Sequence, residues 1–166
     1  MGVPEEEWTI NYSLPEDVNA KPLCFHLKPF SFKHTGLFPE QATNWDWFSS
    51  LIKKEINQTG RPIKVLNLFA YTGGATMAAS YAGATEVVHV DASKGMNEWA
   101  KENRDLSGFK DRTIRFITDD ATKFLKREIK RGHKYDAIIM DPPSYGRGPD
   151  NELFKFEEKI NQVFGK

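Results

Sequence analysis

The sequence predicts an α/β fold built on a mostly parallel sheet, and three observations carry that reading. Four short runs, near 65–70, 85–90, 113–117 and 135–140, have the near-continuous apolar character of strands buried on both faces. Between them, segments 75–82, 93–106 and 120–130 carry helix formers or apolar residues at helical spacing. Strand and helix therefore alternate without interruption, which calls for right-handed crossovers, helices on both faces and ligand binding at the carboxyl ends of the strands.

Length and charge set the outer limits. A chain of 166 residues suits one domain with a real core, and 23 basic against 23 acidic residues leave no global field toward nucleic acid or membrane. The single cysteine, Cys24, excludes an internal disulfide framework. There is no charged-then-apolar leader and no apolar stretch of roughly 18 residues, so a soluble, cytoplasmic chain without a membrane partner is expected. No internal repeat and no Cys/His spacing of a zinc site is present, so no metal is expected.

In chain order, residues 1–38 read as N-terminal strands and a loop, and 39–166 as the core. Trp8, Ile10 and Tyr12 alternate as in a short edge strand, and Pro22 and Pro29 enclose a second strand around Leu23, Phe25 and Leu27. Lys33 and His34, in the following loop, either contact an anion or are simply exposed. Pro39 stands at a first-turn position before Trp45, Phe48, Leu51, Ile52 and Ile56, which recur at helical spacing until Gly60 and Pro62. This predicts a helix over 40–58, with Trp45 and Trp47 on different faces and an N-terminus able to form a lid. Residues 64–82 then read as strand, glycine turn and helix. Gly73 and Gly74 are expected to take unusual dihedrals and to let the backbone approach a ligand, beside the free N–H groups of the helix that follows.

The carboxyl ends carry the candidate chemistry. Asp91 closes the second core strand about 18 residues after Gly73, a position from which a carboxylate accepts from both hydroxyls of a ribose. Asp119 and Asp120 close the third; Asp120 either caps the next helix, accepts from the exocyclic amine of a purine, or does both. A dinucleotide usually needs Gly-x-Gly-x-x-Gly for its pyrophosphate, whereas the turn here reads Ala70-Tyr71-Thr72-Gly73-Gly74-Ala75. A nucleoside cofactor with an amino-acid tail fits such a turn, with Asn67, Thr72 and main-chain groups available for its ammonium and carboxylate. That describes S-adenosylmethionine.

The stretch Asn67-Leu68-Phe69-Ala70-Tyr71-Thr72-Gly73-Gly74 resembles the first motif of class I S-adenosylmethionine-dependent methyltransferases. Within that class it is similar to the bacterial 23S rRNA methyltransferases that modify cytosine C5 or guanine N7. Val90-Asp91-Ala92-Ser93-Lys94 resembles the family's ribose motif, Asp119-Asp120-Ala121 its adenine motif and Asp141-Pro142-Pro143-Ser144 its active-site motif. Phe38 and Gln41, with Asn44, resemble a Gly-x-Phe-x-x-Gln segment that precedes the first core strand. The resemblance implies a Rossmann-like class I methyltransferase fold that here ends after the fourth core strand. It also implies transfer of a methyl group to a base of ribosomal RNA.

Departures from the family pattern set further expectations. Such enzymes usually have seven strands, so either a fragment or a minimal variant is expected, with an apolar patch at Ala137, Ile138, Ile139 and Met140 and a homo-oligomer through that edge. Leu153, Phe154, Phe156, Ile160 and Val163 suggest a final helix, and Gly146, Gly148 and Pro149 a mobile loop, with Tyr145, Arg147 and Lys155 available to RNA. Methylation at cytosine C5 needs a thiolate, and Cys24 is remote from every motif. A small-molecule or protein methyltransferase and a non-catalytic cofactor module are the other readings, since fold does not set substrate.

Overall fold

The structure is a computed structural model that describes residues 8–18, 21–29 and 35–143, with the backbone alone of 145–147 and 153–155. Thr9–Tyr12 (β1) and Leu23–His26 (β2) form an antiparallel pair with Ile10 opposite Phe25. A 3-10 turn at Pro39–Gln41 leads into Ala42–Thr59 (α1), which closes on a left-handed Gly60 whose N–H returns to Ile56. Strand and helix then alternate as Lys64–Leu68 (β3), Gly74–Tyr81 (α2), Glu86–Asp91 (β4), Lys94–Leu106 (α3), Ile114–Thr118 (β5), Ala121–Arg131 (α4) and Ala137–Met140 (β6). Ser93 and Asp120 cap α3 and α4 by accepting from Met96 N–H and Lys123 N–H.

Tyr145–Arg147 (β7) and Leu153–Lys155 (β8) pair antiparallel. Leu153 and Phe154 therefore lie in a strand and do not open a helix, and Gly146 lies in a strand, not in a loop. The physical reason is pairing: β7 and β8 satisfy one another's backbone groups across the antiparallel ladder. Phe156, Ile160, Val163, Gly148 and Pro149 lie outside the described residues, as do Lys33 and His34.

Strands β3 to β6 make one parallel sheet in the order β5-β4-β3-β6. The chain builds outward from β3 to β5 and then returns to lay β6 on the other flank of β3. Strand order thus reverses between β3 and β6, where open α/β sheets leave a crevice at their carboxyl ends. Alternation along the strands divides the core into two layers. Val65 and Val87 pack with Trp45 and Ile52 of α1 and Met77, Ala78 and Tyr81 of α2, while Leu66, Leu68, Val88 and Val90 pack with Ala121 and Phe124 of α4. Leu23 and Phe25 of β2 join the first layer, so the N-terminal hairpin and the sheet share one core. Each buried Val, Leu, Ile, Phe or Met side chain among them contributes about 1.5–3 kcal/mol.

The hairpin is also tied to α3. Trp99 Nε1 donates to the carbonyl of His26 at 2.9 Å, His26 N–H donates to Asn103 Oδ1 at 2.8 Å, and Cys24 N–H donates to Ser107 Oγ at 3.0 Å. Trp45 is 5% exposed and Trp47 66%, as their places on opposite faces of α1 require. Along β6, the outer strand of the sheet among the described residues, Ile138 is exposed, and Ala137, Ile139 and Met140 are half-buried, because Ala137 and Ile139 pack toward the α1 layer and Met140 toward the α4 layer. The expected patch thus contracts to Ile138. Among the described residues no helix is long and apolar enough to cross a membrane, and no group of His, Cys, Asp and Glu could hold a metal ion.

The two glycines of the central turn differ. Gly73 has φ 90° and needs the left-handed region, but Gly74 is helical, and its role is steric: a Cβ there would lie 2.5 Å from Trp45 Cζ2. The Trp45 ring cannot yield, since it is wedged between Tyr12 and Phe25 at centroid distances of 5.6 and 5.7 Å. Gly74→Ala is therefore expected to lower the unfolding free energy by about 1–3 kcal/mol in urea titrations. Gly95→Ala, whose Cβ would meet only Ser93 Oγ at 3.8 Å, is expected to be neutral or slightly stabilising.

Candidate functional site

The turn from β3 into α2 carries the site. Phe69, Tyr71 and Gly73 have φ values of 56°, 51° and 90°. For the two aromatic residues the left-handed region costs about 1–2 kcal/mol each, so neighbouring groups must hold it. Asp91, at the end of β4, accepts the Tyr71 N–H on Oδ2 at 2.8 Å and the Ser93 N–H on Oδ1 at 2.8 Å. Ala70 N–H reaches the Val90 carbonyl at 3.1 Å, Asn103 Nδ2 donates to the Thr72 carbonyl at 2.9 Å, and Thr72 Oγ1 donates to the Gly36 carbonyl. Burial raises the Asp91 carboxyl above its ordinary range, opposed by the amides of Ser93 and Tyr71.

Above this turn opens a cavity of about 550 Å³, within the range of small-molecule sites. Asn67, Phe69, Ala70, Tyr71, Thr72 and Gly74 line one side; Phe38, Gln41 and Asn44 line another, and Asp141 closes the β6 end. The Phe38 and Tyr71 rings lie 5.1 Å apart. Asn44 Nδ2 donates to Gln41 Oε1 at 2.8 Å and Gln41 Nε2 donates to Asp141 Oδ2 at 3.2 Å, so a polar chain links the start of α1 to the end of β6. The remaining predicted residues do not line the cavity. Gly73 packs against Met77 and Ala100. Asp91, Ala92 and Ser93 follow β4, Asp120 and Ala121 follow β5, and Pro142 and Pro143 continue from Asp141. Asp120 Oδ1 caps α4 through Lys123 N–H at 2.9 Å, and Asp119 forms an ion pair with Arg127.

The model of the S-adenosylmethionine-dependent methyltransferase family matches residues 7–157. The chain belongs to that family. It is 33% identical over 111 residues to ribosomal RNA large subunit methyltransferase I of Aeromonas salmonicida, an alignment covering 67% of this chain and 26% of the relative. Over 111 residues it is 34% identical to ribosomal RNA large subunit methyltransferase K of Neisseria meningitidis serogroup B, covering 67% of this chain and 29% of that one. The crystal structure of a SAM-dependent methyltransferase from Agrobacterium tumefaciens superposes with a TM-score of 0.80 at 42% identity, over 93% of this chain and 46% of its own. The chain thus spans about a quarter of the length of these curated relatives.

Part of the cavity escaped the sequence reading. Leu37, Trp45, Phe48 and Leu51 line it together with residues 137–140 of β6. The α1 residues carry the periodicity of an ordinary core stripe, which says nothing about a cavity beyond the core. Behind the turn, Asn67 Nδ2 donates to Thr76 Oγ1 at 2.9 Å, and Thr76 Oγ1 lies 2.8 Å from His89 Nδ1. A histidine inside Val87-Val88-His89-Val90 was the available signal.

Burial pushes His89 from 6.5 down to about 3, against the pull of Asn97 and the Tyr71 carbonyl. The imidazole is neutral in the fold, while the unfolded chain takes a proton near the ordinary value, so the contribution is complete above about pH 6.5 and shrinks as pH falls toward 3. Urea titrations between about pH 6.5 and pH 5, above the carboxylate range, are expected to show stability falling by up to about 1.4 kcal/mol per pH unit. His89→Asn should flatten that slope; an unchanged slope would place its origin elsewhere.

Proposed function

We propose that this chain is the S-adenosylmethionine-binding core of an enzyme that methylates a base of ribosomal RNA in the cytoplasm. The observation that carries the reading is the strained turn 69–73, pinned by Asp91 beside a cavity at the switch point of a parallel sheet. Asp91 spends one lone pair of each oxygen on a backbone amide, which leaves each oxygen able to accept one hydroxyl of a ribose. The turn lacks a pyrophosphate cradle, and Asn67 and Thr72 offer polar groups to an amino-acid tail. Asp120 and Ala121, at the end of β5, supply the adenine side. The residues present therefore fit the cofactor. The relatives' names support ribosomal RNA as the substrate class.

When bound, the cofactor supplies a sulfonium methyl open to in-line attack. The chain's own part is placement, which accounts for much of the barrier in such transfers. Asp141, held by Gln41, presents a carboxylate and carbonyls at the cavity mouth, and Pro142 and Pro143 stiffen the backbone that follows. Such a loop orients a base taken out of its stack. Attack from a base nitrogen needs position alone. Attack from cytosine C5 needs a thiolate, and Cys24 lies on β2 against Ser107.

Calorimetry with S-adenosylhomocysteine should give saturable binding, and Asp91→Ala should weaken it by about 1–3 kcal/mol. NAD should bind at least about ten-fold more weakly, for want of the glycine cradle. Absence of binding by folded protein would sink the proposal. Labelled methyl groups offered with unmodified 23S rRNA should reach the RNA in an Asp141-dependent manner once the remaining enzyme parts are supplied, and little by this chain alone. Label on proteins or small molecules instead would favour the alternative substrate classes, and binding without transfer a non-catalytic module.

A further inference from the structure

The chain carries no net charge, but its cations are unevenly spread. Helix α4 and the residues just after it hold Lys123, Lys126, Arg127, Lys130, Arg131 and Lys134, all exposed, against a single acid, Glu128. That acid does not reach the surface. Glu128 is 4% exposed and accepts from the Tyr135 hydroxyl at 2.5 Å and from Arg131 at 3.2 Å, with His133 Nδ1 at 2.9 Å. At 3.6 residues per turn Ala121, Phe124, Leu125 and Glu128 make the inward stripe, so Lys123, Lys126 and Lys130 lie on the arc opposite, away from the sheet.

Two ordinary reasons for surface cations do not cover this arc. A solvated helical face interleaves the two signs, as α3 does: Lys101 pairs with Glu98, Arg104 with Asp105, and Glu102 with Lys28 just beyond β2. On α4, Asp119 takes Arg127 and Glu128 takes Arg131, whereas Lys126, Lys130 and Lys134 form no ion pair with any described residue. The helix dipole favours cations in the last turn, which accounts for Lys130 and Arg131. It does not account for Lys126 in mid-helix, and it disfavours Lys123 in the first turn. Like charges one turn apart, Lys126 with Lys130 and Lys123 with Arg127, also oppose the helix. An anionic partner removes that repulsion.

The helix is also placed for a long polyanion. It starts at the carboxyl end of β5, the end on which the cavity opens, and runs back along the sheet against β4, so its cations form a track that leads to that end. We propose that the outer arc of α4, with Lys126, Lys130 and Lys134 as its unpaired cations, holds the phosphate backbone of the ribosomal RNA while a base enters the cavity. This rests on the ribosomal RNA reading above. Such contacts set register and orientation without reading sequence, since every nucleotide offers the same phosphate. The arc holds no Phe, Tyr or Trp, so it supplies charge and no stacking platform.

Anisotropy titrations of the whole chain with a labelled fragment of unmodified 23S rRNA, from about 50 to about 200 mM salt, test this. Lys126→Gln, Lys130→Gln and Lys134→Gln combined should weaken binding about ten-fold or more. They should also flatten the slope of log K against log salt by about two to three, close to one for each lost phosphate contact. Lys126→Arg, Lys130→Arg and Lys134→Arg should keep both affinity and slope, and far-ultraviolet circular dichroism should be unchanged in either set. Lys53→Gln, Lys54→Gln and Lys110→Gln remove the same charge elsewhere and should do little. Equal flattening by that set means a diffuse field and overturns the proposal, as does RNA affinity that the α4 glutamines leave unmoved. Poly-L-glutamate binding that the α4 glutamines abolish while RNA binding stands means an acidic protein partner, and overturns it too. Methyl label that reaches 23S rRNA equally with wild type and the α4 glutamines, once the remaining enzyme parts are supplied, overturns the role of α4 and leaves the ribosomal RNA reading standing. Lysine-dependent RNA binding with label only on proteins or small molecules does the reverse.

Discussion

The bond from Tyr71 N–H to Asp91 is the constraint on which the site depends. Two aromatic residues and a glycine within the five residues 69–73 occupy the left-handed region, and such backbone persists only where its surroundings over-determine it. Asp91 belongs to the strand next to β3, so parallel pairing of β3 with β4 is what brings the acceptor to the turn. The strain in turn aims Phe69 and Tyr71 at the cavity. The Asp91 carboxylate thus builds the wall opposite the N-terminal segment.

That segment is part of the site, not an appendage to it. Gly36, Leu37 and Phe38 reach the turn through the Thr72 hydroxyl and the Tyr71 ring, and α1 closes on α2 where Gly74 admits the edge of Trp45. The hairpin is anchored to α3 by Trp99, Asn103 and Ser107. Trp45, whose ring Gly74 admits, also lines the cavity. Local packing and site geometry are one problem here, because close-packed interiors transmit displacement in place of absorbing it.

The sheet has a dry layer and a polar one. Toward α4 its residues are Leu66, Leu68, Val88 and Val90, whereas toward α2 the row nearest the carboxyl end contains Asn67 and His89. Buried polar atoms are costly unless satisfied, and here they are joined with Thr76 into one chain that is left incomplete only at Asn97 and His89 Nε2.

Alternation of apolar runs and helical segments was enough to reveal the parallel sheet, since periodicity is set residue by residue. The cap at Asp120, the helix beginning behind Pro39 and the motif residues at strand ends were legible for the same reason: their chemistry is local. Strand order, the left-handed backbone at Phe69 and Tyr71, the strand at Leu153–Lys155 and the steric role of Gly74 were not. Each depends on a partner distant in sequence: Asp91 for Tyr71, Trp45 for Gly74 and β7 for β8. Residue types and spacing determined which groups reach the carboxyl ends of the strands; only the tertiary structure decided which of them share a cavity, because that depends on how layers close over one another.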